Sequence, residues 1–255
     1  MKRIRLFSVT ATLAAAALLP FTATATPVDL TSWSSEGSGN WSTQSGNDSV
    51  VQSTNGQPTV FFESGSNARG TQLSGEINVQ TTGDDDFIGF VLGYQAGELT
   101  SSSSDFWLID WKQNNQTYNG GLGKRGLSLS HVTDGSQANS YTDFWRHEGG
   151  VNEVARGNTL GDTGWLDQTT YSFDIVFTDQ LIQVFVNNLL ELNVTAADAG
   201  VSEFADGAFG FYNYSQSNVL YSSIEESIAS VPEPASLALL GLGLVGVSLS
   251  RKRNK

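Results

Sequence analysis

Short segments that alternate apolar and polar residues recur along the chain between turn residues. Between residues 170 and 178, Tyr171, Phe173, Ile175 and Phe177 occupy every second position, so they face one side of a strand. The stretch Phe87–Tyr94 is almost continuously apolar, which predicts a central strand. The same criteria predict strands over residues 73–80, 106–113, 126–132, 181–187, 189–194, 207–214 and 219–224, with Asn187-Asn188 as a hairpin turn.

The pattern between residues 26 and 230 contains no helical period of 3.6 that lasts beyond two turns. Glycine is frequent, with 27 residues, and proline is scarce, with 5, as in strands joined by tight turns. About ten short strands in roughly 200 residues predict an all-β fold of two packed antiparallel sheets.

The amino-terminal 25 residues have the pattern of an export signal. Lys2, Arg3 and Arg5 precede an apolar run over residues 6–19, and Ala23-Thr24-Ala25 follows as a small-residue cleavage pattern. We expect a secretory signal peptide over residues 1–25 that is cleaved after Ala25. A retained membrane anchor is the alternative, although the apolar run is short for a bilayer.

The carboxyl-terminal segment, residues 229–255, has the same ingredients in reverse order. Val231-Pro232-Glu233-Pro234 is followed by an apolar run over residues 235–249 and by a basic cluster that closes the chain. This arrangement resembles the PEP-CTERM sorting signal of exported bacterial proteins, with Pro232, Glu233 and Pro234 as its defining residues. The resemblance implies recognition by an exosortase, a transient inner-membrane tether, and delivery to the cell surface or extracellular matrix of a Gram-negative-type bacterium. A plain membrane anchor is the alternative.

Charge and cysteine content narrow the classes of partner. Residues 26–230 carry 25 acidic and 6 basic side chains, a net charge near −19. Such a surface repels phosphates, so the composition argues against nucleic acid as a partner. The chain has no cysteine, so the exported domain must be stabilised by a large core, by bound metal, or by both.

Three consecutive acids lead into the central strand. Asp84, Asp85 and Asp86 repel one another, and this arrangement is tolerated if the carboxylates are solvated or if a hard cation lies among them. Calcium takes six to eight oxygens, so further ligands from other loops are needed, with Asp105, Asp110, Asp162 and Asp167 as candidates. Taken alone, the triplet leaves a solvated turn and a metal site equally open.

Several colinear motifs resemble the lectin-like carboxyl-terminal domain of thrombospondins over about residues 70–228. They are DDDFIGFVLGYQ from Asp84, FWLIDWKQNNQTY from Phe106, GWLDQTTY from Gly164 and YNYSQSN from Tyr212. The resemblance implies a concanavalin A-like jelly-roll sandwich for the domain, residues 26–228, with bound Ca²⁺. It assigns calcium ligands to Asp84, Asp85 and Asp86, and Asp167 matches the same family pattern.

Legume-type lectins offer a more distant analogy within this fold. By that analogy Asp86 receives sugar hydroxyls and Asp110 belongs to a metal site, although Lys112 stands where a second acid is wanted. Sugar binding also needs a flat aromatic face beside polar groups. Trp165 follows a glycine-rich loop, so we expect it at the surface as a ligand-binding residue.

Enzyme signatures are missing from the sequence. The Glu-x-Asp-x-x-Glu strand of jelly-roll glycosidases does not occur, and His147-Glu148 lacks the second histidine of a zinc protease helix. We therefore expect a calcium-binding adhesion module, without enzyme activity, whose partner is an extracellular polysaccharide or a surface protein. The alternatives are a structural biofilm or envelope component without a discrete ligand and, less favoured, a polysaccharide-degrading enzyme.

Overall fold

The protein is described by a computed structural model that covers residues 24–136 and 142–229. Strands dominate these residues, and a single short α-helix occurs among them. The elements are β1 Thr26–Pro27, β2 Ser34–Gly37, β3 Trp41–Thr43, β4 Val50–Gln52, β5 Thr59–Phe62, β6 Thr71–Val79, β7 Phe87–Tyr94, β8 Phe106–Lys112, β9 Gln116–Tyr118, β10 Gly121–Gly123, β11 Gly126–Val132, α1 Thr142–Arg146, β12 Val151–Arg156, β13 Thr170–Phe177, β14 Leu181–Val186, β15 Leu189–Thr195, β16 Ala208–Tyr214 and β17 Val219–Ile228.

Two antiparallel sheets form the body of the domain, which confirms the predicted all-β jelly roll. One sheet has the strand order β15-β14-β13-β6-β17-β4-β3, with β1 paired to β17. The other has the order β12-β11-β8-β7-β16-β5-β2. Strands β9 and β10 form a separate two-stranded hairpin. No helix in the part of the chain that the structure describes combines the length and hydropathy that a membrane span requires.

The predicted face of β13 lies in the core between the sheets. Phe173, Ile175 and Phe177 are buried there, and Tyr171 packs against them from the margin. The hairpin prediction is also confirmed, because Asn187 and Asn188 both adopt positive φ, 49° and 63°, as a tight turn of this kind requires. Alternation along each strand therefore places one apolar row inside the sandwich.

The outer face of the seven-stranded sheet is covered as well. Helix α1 places Phe144 and Trp145 against a second apolar cluster that contains residues from β7, β8 and β16. Strand β8 is consequently buried along both faces, so its two charged residues, Asp110 and Lys112, are fully enclosed. Buried charges need partners inside the protein, and these partners define much of the site described below.

The loop between β6 and β7 and the two ends of the domain lie at opposite ends of the sandwich. Val219, the first residue of β17, pairs with Val79 beside this loop, whereas Ile228 pairs with Thr71. At that far end Thr26 of β1 pairs with Glu226. The ten residues of β17 separate the two ends of the sandwich by about 30 Å.

Residues 1–23, 137–141 and 230–255 lie outside the described residues. The predicted signal peptide lies there except for its last two residues, as does nearly all of the predicted sorting segment. Pro232, Glu233 and Pro234 have no structural account for this reason.

Candidate functional site

The acid loop, residues 80–86, joins β6 to β7 and carries the three consecutive aspartates. One carboxylate oxygen from each of Asp84, Asp85 and Asp86 lies within 4.8 Å of the others. Asp84 and Asp85 are half-buried, whereas Asp86 is 2% exposed. The triplet is therefore a compact group of oxygens that is open on the Asp84 and Asp85 side.

The backbone of Asp86 is held on both sides. Its N–H donates to the side-chain Oε1 of buried Gln216 at 3.0 Å. Its carbonyl accepts from the indole Nε1 of Trp165 at 3.1 Å, and the same indole reaches the Trp111 carbonyl at 3.1 Å. These contacts fix where β7 begins, and so they also fix where the preceding two carboxylates lie.

The prediction that Trp165 lies at the surface is wrong, because its side chain is fully buried. The indole N–H satisfies two backbone carbonyls at the start of β7 and the end of β8, and the ring joins the core between the sheets. Gly164 allows this, since a Cβ at that position would lie 1.8 Å from the Gln113 carbonyl oxygen. The glycine-rich loop serves close backbone packing and does not present an aromatic ring to solvent.

Lys112 is the charged partner of the triplet. Its ammonium Nζ contacts Asp86 Oδ1 and lies 3.1 Å from the Asp85 carbonyl and 3.5 Å from Asp85 Oδ1. It donates to Gln116 Oε1 at 3.1 Å. The ring centroids of Trp145 and Phe87 lie 4.6 and 5.2 Å from Nζ. The ammonium is thus surrounded by oxygens and aromatic faces, which compensates for its complete burial.

Asp84 has a different environment from Asp86. Its Oδ2 accepts from Asn55 Nδ2, and no ion pair with Asp84 occurs among the described residues. Burial and the neighbouring Asp86 carboxylate raise the pKa of Asp84 to about 6. Negative charge at Asp84 is therefore poorly compensated by the protein itself.

The other four candidate metal ligands are not brought to this cluster. Asp105 pairs with His131, and Asp162 pairs with Arg125. Asp110 is buried under α1, where it accepts from Ser128 Oγ at 2.7 Å and from His147 Nε2 at 2.8 Å. Asp167 accepts from the Gln113 side chain at 3.1 Å. Within residues 24–136 and 142–229, the group of acids close enough to share a metal consists of Asp84, Asp85 and Asp86.

A polar pocket of about 250 Å³ opens beside the acid loop, and Asp86 forms part of its wall. Tyr118 of β9 is 41% exposed and contacts Trp145, with ring centroids 5.3 Å apart. Trp145 in turn contacts Tyr214 at 5.5 Å, so three aromatic rings line one side. The remaining side chains are short polar groups and amides, namely Asn55, Gln57, Gln116 and Ser215.

Sequence reasoning did not assign these polar pocket residues. Asn55 precedes β5, Gln116 begins β9, and Ser215 follows β16, so nothing in local spacing connects them. The one available signal was the run QNNQTY after β8, which is polar and ends in an aromatic residue. Tyr118, which belongs to this run, takes the exposed aromatic position that we predicted for Trp165.

Beneath α1, a buried chain of charges stabilises the outer face of the seven-stranded sheet. His147 has a side chain that is 5% exposed and lies between Asp110 and Glu153, with Nδ1 3.4 Å from Glu153 Oε2. Burial by itself lowers the pKa of His147, but the Asp110 carboxylate and the bond to Glu153 outweigh it and raise the pKa to about 9. Burial likewise opposes ionisation of Glu153, yet hydrogen bonds from His147 and Arg156 lower its pKa to about 2. Each charged side chain here is paired with another of opposite charge, as in a structural network.

The fold and the site together define a lectin-like β-sandwich with an acidic loop and a polar, aromatic pocket at one end. Within that class, the sequence matches the thrombospondin C-terminal region over residues 36–229, and the chain belongs to this family. Residues 230–253 match the PEP-CTERM protein-sorting motif, which implies an exported protein that is processed by an exosortase.

The relatives of this chain include thrombospondins. Thrombospondin-2 of Gallus gallus is 31% identical over 201 residues, which cover 73% of this chain and 16% of that protein. Thrombospondin-3b of Danio rerio is 29% identical over 197 residues, which cover 72% of this chain and 20% of that protein. The chain thus corresponds to a fifth or less of the length of these relatives.

Solved structures share the architecture at low sequence identity. The carbohydrate-binding module CBM66 from Bacillus subtilis superposes with a TM-score of 0.55 at 9% identity, over 77% of this chain and 96% of that one. A Bacillus subtilis protein of unknown function with a galectin-like fold gives a TM-score of 0.53 at 11% identity, over 80% and 94% of the two chains. These similarities establish the fold alone.

Proposed function

We propose that the chain is a calcium-dependent binding module that is displayed at the cell surface or in the extracellular matrix and holds polysaccharide in the pocket beside the acid loop. The observation that carries this proposal is the acid loop itself. Three carboxylates converge within 4.8 Å beside the pocket, whose wall includes Asp86, and Asp84 among them has no cationic partner in the described residues.

The donor set fits calcium. Ca²⁺ prefers carboxylate, amide and carbonyl oxygens and completes its shell with water, and the open side of the acid loop offers carboxylates. Asp84 and Asp85 supply carboxylates, and the Asn55 side chain lies against Asp84. Bound Ca²⁺ would supply the positive charge that Asp84 lacks and would order the rim of the pocket.

The pocket chemistry favours a saccharide. Sugar hydroxyls are bound by amides and carboxylates, and the apolar face of a pyranose ring packs on an aromatic side chain. Asn55, Gln57 and Gln116 provide the amides, and Tyr118 provides the exposed ring, whereas the Asp86 carboxylate is held by Lys112. This assigns to Tyr118 the part first predicted for Trp165. Relatives named thrombospondins and a carbohydrate-binding module of the same fold are consistent with binding.

The geometry of the pocket supports binding in preference to hydrolysis. Glycoside hydrolysis commonly needs two carboxyl groups on either side of the scissile bond. Among the described residues that line the pocket, Asp86 is the one acid, and the Lys112 ammonium already holds it.

The position of the pocket suits display on a surface. The sorting motif begins at residue 230, directly after the described end of the domain, and β1 lies beside that end. The acid loop and the pocket are about 30 Å away at the other end of β17. A domain attached through its carboxyl-terminal segment would therefore direct the pocket away from the attachment point.

Calcium is expected to raise the melting temperature (Tm) of the exported protein, and Asp84→Asn is expected to remove at least half of that rise. At a calcium concentration 100 times Kd, binding stabilises by about 2.7 kcal/mol, which corresponds to a Tm rise of about 5–10 °C for a domain of this size. Thermal denaturation in calcium and in chelator measures both values. Glu203→Gln removes one exposed negative charge far from the loop and serves as the matched control. Equal Tm values with and without calcium in the wild-type protein would refute the calcium site.

Tyr118→Ala is expected to weaken polysaccharide binding about tenfold, because stacking on an aromatic ring contributes about 1–1.5 kcal/mol. A glycan array identifies the ligand, and titration of the two proteins with that ligand gives the ratio of Kd values. Leu122→Ala is the control, since Leu122 is 46% exposed on the paired strand and does not line the pocket. An array without any signal would favour the structural envelope component, and equal Kd values for the wild type and Tyr118→Ala would exclude this pocket.

A further inference from the structure

The buried end of the acid loop already contains a cation, the ammonium group of Lys112. Its Nζ is surrounded by Asp86 Oδ1, the Asp85 carbonyl, Asp85 Oδ1 and Gln116 Oε1, all within 3.5 Å. The side chain is fully buried, and two aromatic rings cover its remaining sides. This oxygen shell of carboxylate, carbonyl and amide groups is of the kind that a hard cation would otherwise take.

The ammonium contacts two of the three carboxylates, most closely that of Asp86. Asp86 points inward, is 2% exposed, and has its backbone fixed by Gln216 and Trp165. Asp84 is half-buried and lies next to Asn55, without a contact to Lys112, although its carboxyl group is within hydrogen-bonding reach of Asp86. Asp85 lies between them, with its carbonyl and one carboxylate oxygen near the ammonium.

We infer that Lys112 is a built-in counter-ion that reserves Asp86, so that one divalent cation binds only at the outer position formed by Asp84 and Asp85. This inference rests on the proposed calcium-binding function and defines how that site is regulated. Binding and release of calcium act on the outer rim, including Asn55, while Lys112 keeps the inner half of the loop folded at every calcium concentration. A second divalent ion at Asp86 is excluded by charge repulsion with the ammonium.

Lys112→Met is the direct test, because methionine keeps an unbranched stem of similar volume and removes the charge. Without the ammonium, Asp86 is free to join Asp84 and Asp85 around calcium. Calorimetric titration with CaCl₂ should show an affinity at least tenfold higher than that of the wild type, and the Tm measured in chelator should fall. Lys124→Met removes an exposed lysine from a neighbouring loop and is the matched control, with an affinity close to that of the wild type.

Asp86→Asn and the double variant Asp86→Asn/Lys112→Met keep the inference testable if Lys112→Met does not fold without calcium. Asp86→Asn should change calcium affinity less than threefold, whereas Asp84→Asn should lower it more than tenfold. The double variant, which has neither charge, should bind calcium with nearly wild-type affinity. If Asp86→Asn loses calcium binding as completely as Asp84→Asn does, the inference is overturned, because Asp86 would then be a calcium ligand.

The same titrations separate this inference from the proposed function. If the wild-type protein binds no calcium, the proposed function fails, yet a gain of calcium binding in Lys112→Met would still support the role of the ammonium. If the wild type binds calcium and Lys112→Met has the same affinity, the proposed function stands and the inference is overturned. If neither protein binds calcium, both are overturned.

Discussion

Truncating Trp165 to alanine is expected to lower the free energy of unfolding by about 3–5 kcal/mol, the usual cost of removing a buried tryptophan. The side chain is fully buried in the core between the sheets. Its loss also leaves the Asp86 and Trp111 carbonyls without the indole donor. Denaturant unfolding of the exported protein measures the free energy, and calcium titration of the same samples measures the effect on the acid loop.

Trp165→Phe separates packing from anchoring. Phenylalanine keeps most of the apolar contact but cannot donate, so we expect a smaller loss of about 1–3 kcal/mol together with a severalfold weaker affinity for calcium. Trp41→Phe is the matched control, because its indole bonds Thr59 at 2.9 Å and has no contact with the acid loop. Wild-type calcium affinity in Trp165→Phe would mean that Trp165 contributes to the core alone and does not help to position Asp84 and Asp85.

Local patterns were sufficient to predict the strands that carry most of the core. The alternation in β13 and the continuous apolar run in β7 report directly which faces are buried, and the asparagine pair defines the β14–β15 turn. Short strands with little alternation were harder to predict from the sequence. β2, β3 and β4 come from a segment rich in serine, glycine and asparagine, and they divide between the two sheets. Pairing with longer neighbours, and not local preference, makes them strands.

The candidate site was predictable only in part, because its contacts are long-range in sequence. The acid triplet is visible in the sequence, but its division into inner and outer carboxylates depends on Lys112, 26 residues away from Asp86. The burial of Trp165 depends on a contact 79 residues away. An indole that follows a glycine-rich loop has the same local signature whether it faces solvent or two backbone carbonyls. The pocket joins side chains from the β4–β5 connection, β9, α1 and the end of β16, which no local pattern relates.

Burial of both faces of the seven-stranded sheet explains why this domain carries charged groups inside. Strand β8 alternates Phe106, Leu108, Asp110 and Lys112 on the face that α1 covers. The two apolar residues pack under the helix, and each of the two charged residues requires a partner of opposite sign. Lys112 pairs with Asp86 at the acid loop, and Asp110 pairs with His147 just after α1. The absence of cysteine leaves these pairs and the core to hold the loops that a disulfide would otherwise restrain.

The stability of the domain is expected to fall as pH rises from about 6.5 through 9, because His147 must lose its proton. The pKa of this imidazole is raised from 6.5 to about 9 in the folded protein, against the effect of burial, by the carboxylates of Asp110 and Glu153. A pKa that is higher in the folded state than in the unfolded state gives a stabilisation that is fully present below 6.5 and is lost as pH rises through the folded value. Each pH unit between the two pKa values is equivalent to about 1.4 kcal/mol, so the loss amounts to about 3 kcal/mol at most. Denaturant unfolding at intervals between pH 6 and 10 measures it.

His147→Gln should abolish this pH dependence and lower stability at pH 6 by about 3–5 kcal/mol, since Asp110 then remains buried without a positive partner. The matched control is His131→Gln, whose histidine stacks on Trp107 and pairs with the exposed carboxylate of Asp105. That control should keep the fall in stability between pH 6.5 and 9, because His147 is unchanged. A variant Asp110→Asn should reduce the same fall, since the largest attraction on the imidazolium is then removed. If His147→Gln keeps the pH profile of the wild type, another group titrates in this range. The buried pair of His147 and Asp110 would then be neutral in the folded protein.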